Sequence, residues 1–71
     1  MDKSYEITEK VLEFCKSYFK EYGYAPTVRE IGKGVGISST SGVHRHMQRL
    51  FKEGKLATDH PGQSRAFRIT V

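Results

Sequence analysis

The segment Gly36-Ile37-Ser38-Ser39-Thr40-Ser41-Gly42-Val43-His44-Arg45-His46-Met47-Gln48-Arg49-Leu50 decides the fold. Four consecutive hydroxyl residues precede a run in which Val43, Met47 and Leu50 recur at spacings of four and three, the signature of one apolar helical face. Hydroxyl side chains satisfy the exposed N–H groups at a helix start, so a helix begins within Ser38–Ser41 and runs to about Lys52. At about 100° per residue, Val43, Met47 and Leu50 gather on one side with His46 at the edge. Ser41, Arg45, Gln48 and Lys52 gather opposite, flanked by His44 and Arg49. This helix therefore turns cations and amides outward.

Upstream, Thr27-Val28-Arg29-Glu30 fits a capping box and opens a short helix with Val28, Ile31 and Val35 as inward residues. Gly32 and Gly34 weaken that helix by about 1 kcal/mol each relative to Ala. They suit either the close crossing of another helix or plain tolerance. Gly36 ends it, leaving a tight turn before the hydroxyl run. Further upstream, Ile7, Val11, Phe14, Cys15, Tyr18 and Tyr22, flanked by Leu12 and Phe19, make a first helix with a broad apolar face. Gly23 caps it, and Pro26 prevents its resumption. Downstream of Gly54, Lys55–Thr58 reads as a short strand, residues 59–64 as a turn around Pro61-Gly62, and residues 65–71 as a strand with Phe67, Ile69 and Val71 alternating inward.

With 71 residues the chain is a single domain with one modest core, too small for a large enclosed active site. Its 12 Lys and Arg against 8 Asp and Glu give a net charge of +4. The excess is uneven: residues 1–22 carry four Lys against five acids, a net −1, and residues 23–71 carry eight cations against three acids, a net +5. A basic excess confined to one part of a small domain suits a phosphate-facing surface. The lone Cys15 forms no internal disulfide, and neither a secretory leader nor a membrane-length apolar run appears, so a cytoplasmic setting is expected.

Helix, helix, tight turn, polar-faced helix and basic hairpin make a mainly α fold with a small β-hairpin, a three-helix winged helix-turn-helix. In such a fold His44, Arg45 and Gln48 are long donors able to reach base edges, and Arg49 and Lys52 are placed for phosphates. The expected partner is double-stranded DNA.

These residues also carry a family resemblance. From about Ile7 to Ile69 the chain resembles the N-terminal DNA-binding domain of the LexA repressors of the bacterial SOS response, through "GYAPTVREIGKGVGISSTSGVHRHMQRLFKEGKL" and the wing "PGQSRAFRI". The "SSTSGVHRHMQRL" segment is more similar to Gram-positive members, which read a GAAC-type half-site, than to enterobacterial ones, which read a CTGT type. The resemblance implies base contacts from Ser39, Ser41, Gly42, His44 and Arg45, with Thr40 beside them. It implies backbone contacts near Thr27 and Arg29, and from Ser64 and Arg65 in the wing. Gly42 stands where the family has a small residue bearing a methyl group. Full-length members carry a self-cleaving serine peptidase domain; with Val71 as the last residue, no peptidase is expected here.

Other chemistries find little support in the sequence. Cys15 on an apolar face reads as a small buried hydrophobe. His44 and His46 point in different directions and His60 is distant, so neither a metal site nor any cofactor is expected. Tyr5, Phe14, Tyr18, Phe19, Tyr22 and Tyr24 read as core packing in preference to base stacking. No nucleophile with a base can be assembled, so the chain is expected not to be an enzyme, and no small-molecule ligand or membrane contact is indicated. The competing reading is a winged-helix module that binds a protein partner. On DNA, one module covers a half-site, so two copies on a palindromic operator, forming a homodimer there, are expected.

Overall fold

A computed structural model describes residues 3–58 and 67–71, with side chains from Tyr5 onward. Three helices, α1 (Lys3–Tyr22), α2 (Val28–Val35) and α3 (Thr40–Lys52), precede two strands, β1 (Leu56–Thr58) and β2 (Phe67–Ile69). The strands pair antiparallel with Leu56 opposite Ile69, Ala57 opposite Arg68 and Thr58 opposite Phe67. The result is the mainly helical fold with a small two-stranded wing that the sequence predicts. The strands are shorter than the pattern implied, and the expected turn over 59–64, with Arg65 and Ala66 of the second strand, lies outside the described residues.

α1 crosses both α2 and α3. Val11, Leu12 and Cys15 from α1, Ile31 from α2, Val43, Met47 and Leu50 from α3, and Leu56 and Phe67 from the wing form one buried cluster, closed by Ala25. The line along which α1 touches the others is Thr8, Val11, Leu12 and Cys15, with Phe14 and Tyr18 half-buried beside it. Four of the aromatics expected inside are not: Tyr5 is 39% exposed, Phe19 40%, Tyr22 55% and Tyr24 47%. Tyr5 falls in the first turn of α1, Phe19 and Tyr22 in its last, and Tyr24 just beyond, where Tyr22 and Tyr24 pack against Tyr18. The wing is anchored at its base, where the Phe51 and Phe67 rings meet edge to face at 6.3 Å. The Thr70 N–H donates to the Lys55 carbonyl at 3.0 Å, and the Thr70 hydroxyl donates to the Gly54 carbonyl.

The α2–α3 turn is tight for a steric reason. Gly36 adopts the left-handed conformation (φ 81°) and its N–H donates to the Gly32 carbonyl, which also accepts from Ile37 N at 2.8 Å. That reversal folds the chain back onto Gly32 itself. A Cβ there would lie 2.7 Å from the Ile37 carbonyl oxygen and 3.2 Å from Val43 Cγ2. At Gly34 a Cβ would overlap the Phe14 ring. Of the two accounts the sequence allowed for these glycines, close crossing is the one the structure supports.

Ala favours a helix over Gly by about 1 kcal/mol, so on propensity alone Gly32→Ala would stabilise α2. The clash with a fixed carbonyl reverses the sign. Gly32→Ala is expected to destabilise the domain by about 1–3 kcal/mol, as overpacking of a filled interior does, read as a lower denaturation midpoint by circular dichroism. A raised midpoint would show that the turn yields.

Candidate nucleic-acid interface

The third helix presents the surface that the sequence singles out. Ser39 is its N-cap: its hydroxyl accepts from Gly42 N at 3.4 Å and shares a hydrogen bond with the Ser41 hydroxyl at 2.8 Å. Thr40 and Ser41 are exposed in the first turn, and Gly42, half-buried, leaves the backbone bare beside them. A methyl group at Gly42 would meet Ile37 Cγ2 at 3.2 Å, so its absence is not forced by a hard clash with backbone. Val43, Met47 and Leu50 are buried, as expected, and His44, Arg45, Gln48 and Lys52 are exposed. Ser41, Arg45, Gln48 and Lys52 follow one another at steps of four, three and four, so they form one stripe along a helix about 20 Å long.

The charge of this helix is one-sided. α1 and α2 each place a glutamate in the first turn, Glu6 and Glu30, where it complements the positive end of the helix dipole. α3 contains no carboxylate at all, and its last turn adds Arg49 and Lys52. An anion approaching the start of α3 therefore meets the positive end of the helix dipole and no repelling acid.

α2 is held beside it by a capping box with an extra tie. Thr27 Oγ1 accepts from Glu30 N at 3.1 Å, and Glu30 Oε1 accepts from Thr27 N at 2.8 Å. The second carboxylate oxygen, Oε2, accepts from the Tyr18 hydroxyl at 2.9 Å, which fastens the start of α2 to α1. The Thr27 hydroxyl is thus engaged in capping, and the neighbouring Arg29 is exposed.

One expected face residue is placed differently. The helical wheel sets Arg49 beside the polar stripe, yet it is half-buried and its guanidinium donates from Nη1 to Thr8 Oγ1 at 3.4 Å. Long side chains are not confined to the sector of their Cα, and here the guanidinium reaches to α1. His46 Nδ1 shares a hydrogen bond with the same Thr8 oxygen at 2.8 Å. Thr8 is only 1% exposed and, as a hydroxyl residue, stands outside the apolar pattern of α1, although its spacing of three to Val11 puts it on the contact line. Ser64 and Arg65 lie outside the described residues.

Elsewhere the chemistry is plain. Burial pushes the Cys15 thiol up to about 12, far from a nucleophilic thiolate. Among the described residues no set of three His, Cys, Asp or Glu is grouped to hold a metal ion, and no helix is long and apolar enough to cross a membrane. An open groove between α1 and the end of α2 is lined by Glu6, Glu9, Glu13, Lys10, Phe14 and Val35, and its three carboxylates make it a poor surface for a polyanion.

His46 is held below the ordinary imidazole value of 6.5, first by partial burial and then by the Arg49 and Arg45 cations. Folding thus favours the neutral ring, and between the folded and unfolded values the unfolded chain binds more protons. This contribution to stability is complete above the unfolded value and is lost as pH falls through the folded one. Denaturation midpoints measured from about pH 8 to pH 5 are expected to fall at the acid end, and His46→Gln to flatten that dependence.

A family model described as the LexA DNA binding domain matches residues 5–66. The chain is 49% identical over 61 residues to the LexA repressor of Caldicellulosiruptor saccharolyticus, covering 86% of this chain and 30% of that protein. It is 52% identical over 60 residues to the LexA repressor of Clostridium botulinum, covering 84% and 29%, and 53% identical over 60 residues to that of Oenococcus oeni, covering 84% and 28%. The chain thus spans under a third of the length of these relatives, and the family model takes in α2, α3 and all of α1 but its first two residues. A glycine-closed turn leading into a hydroxyl-capped, carboxylate-free helix agrees with that match, and the chain belongs to the LexA DNA-binding domain family.

Proposed function

We propose that the domain reads double-stranded DNA sequence-selectively, with α3 in the major groove, and that it serves as the operator-binding part of a transcriptional repressor. The observation that carries this reading is the exposed stripe Ser41, Arg45, Gln48 and Lys52 on a helix without a carboxylate. Family membership supports it.

In this reading Ser39, Thr40, Ser41 and Gly42 bring the start of α3 against the duplex, where small side chains permit close approach. His44, Arg45 and Gln48 donate to base edges; Arg is suited to the paired acceptors of guanine and Gln to the donor and acceptor of adenine. Lys52, Arg29 and the start of α2 at Thr27 lie against phosphates, which set register without carrying sequence. Arg49 joins them only to the extent that its tie to Thr8 leaves donors available, and Ser64 and Arg65 extend the contact from the wing. A single module spans one half-site, so two copies on a palindrome supply useful affinity, and occupancy of a promoter blocks transcription. The setting is cytoplasmic, and the role requires no catalysis or cofactor.

Fluorescence anisotropy with a labelled GAAC-type palindrome, a CTGT-type palindrome and a scrambled duplex tests the reading. Preference for the first is expected, and equal binding to all three would reduce the function to non-specific DNA binding. Arg45→Ala should cost about 1–3 kcal/mol on the preferred duplex and change the order of preference, the effect of losing a base contact. Lys52→Ala should weaken all duplexes alike and reduce the slope of log affinity against log salt by about 0.9, the value for one phosphate on B-DNA.

A further inference from the structure

α1 lends α3 a polar tie that the core does not need. The contact line of α1 reads Thr8, Val11, Leu12 and Cys15, and Thr8 is the single buried polar side chain among the described residues. A valine would continue the apolar line with almost the same shape. Instead its Oγ1 meets His46 Nδ1 at 2.8 Å and Arg49 Nη1 at 3.4 Å, two groups of α3 that are one helical turn apart. No buried side-chain nitrogen or oxygen among the described residues lacks a partner, so the tie is fully made.

Two anchors on α3 converging on one atom of α1 restrain both rotation of α3 about its axis and sliding along it. Apolar contacts resist separation but are not directional, whereas hydrogen bonds are. The difference matters at the distance of the reading side chains. A rotation of about 15° displaces a group about 6 Å from the helix axis by about 1.5 Å. That exceeds the spread of about 0.5 Å within which N–H···O bonds form. His46 is the immediate neighbour of Arg45, and Arg49 that of Gln48, so holding the first of each pair fixes the sector in which the second projects.

We propose that Thr8 is a positioning residue for the recognition helix: from α1, its buried hydroxyl holds the His46 ring and the Arg49 guanidinium and so aims Arg45 and Gln48 at the base edges. The role in aiming rests on the DNA reading above; the clasp itself does not.

The test compares Thr8→Val and Thr8→Ser with the unaltered chain, by NMR of the His46 ring nitrogens and by anisotropy on the preferred and scrambled duplexes. In the unaltered chain His46 is expected to hold a single tautomer. Thr8→Val should release it to a mixture, shift the α3 amide signals and lower affinity for the preferred duplex about tenfold, as for one net hydrogen bond, with scrambled binding unchanged. Thr8→Ser, which keeps the oxygen, should restore both readouts. Thr8→Val with full selectivity and only a lower denaturation midpoint would reduce Thr8 to a packing residue and overturn the proposal. A mixture of His46 tautomers in the unaltered chain would overturn it without any variant, including where Thr8→Val fails to fold. If the unaltered chain does not distinguish the duplexes, the DNA reading fails, and the His46 signals still decide whether the clasp exists.

Discussion

The architecture depends on how closely the backbone of α2 approaches the turn that follows it. At Gly32 the Ile37 carbonyl and the Val43 side chain occupy the space a Cβ would need. This contact lets only one residue type stand there, and it sets where α3 begins relative to α2. Were the two helices further apart, Val43 would lose its seat and the hydroxyl run from Ser38 would start a helix in another direction. The left-handed Gly36 supplies the reversal, and Gly32 supplies the room into which it reverses.

Onto that frame α1 adds direction. It contributes Val11, Leu12 and Cys15 to the core, which sets the side each helix buries and leaves the finer rotation to directional contacts. Two polar ties supply the choice: the Tyr18 hydroxyl to Glu30 at the start of α2, and Thr8 to His46 and Arg49 along α3. A domain of this size buries few apolar side chains, so individual hydrogen bonds carry a large share of the specification. The acids follow the same division. α1 carries Glu6, Glu9, Glu13 and Glu21, and α3 carries none, so the helix that braces the reader also takes up the charge that would repel a polyanion.

Much of this is legible in the residues, for identifiable reasons. Capping boxes and glycine stops depend on a few neighbouring residues, so Thr27 to Glu30, Gly23 and Gly36 announce helix ends before any tertiary structure is known. The buried side of α3 follows from the spacing of Val43, Met47 and Leu50 alone. Thr8 escapes because periodicity is read on apolar residue types, and a hydroxyl drops out of the pattern even where its spacing fits. Tyr22 misleads in the opposite way: its spacing from Tyr18 is helical, but it falls in the last turn of α1, where more than half of it stays exposed. Arg49 shows a third limit, since a wheel places Cα atoms and a guanidinium several bonds away can leave the sector it starts from. The two glycines of α2 needed the third dimension, because a residue that exists to be absent from a contact leaves no periodic trace.

The sealed thiol of Cys15 has a use outside recognition altogether. Its side chain is wholly enclosed between α1 and the rest of the core, and burial keeps it protonated at any physiological pH. A thiol-specific reagent therefore reaches it only in molecules whose first helix has lifted away. As the sole cysteine of the chain, it is a native clock for that opening. Its rate of alkylation reports how often the small core comes apart, in a test tube or in a living cell, with no label to disturb the helix that reads.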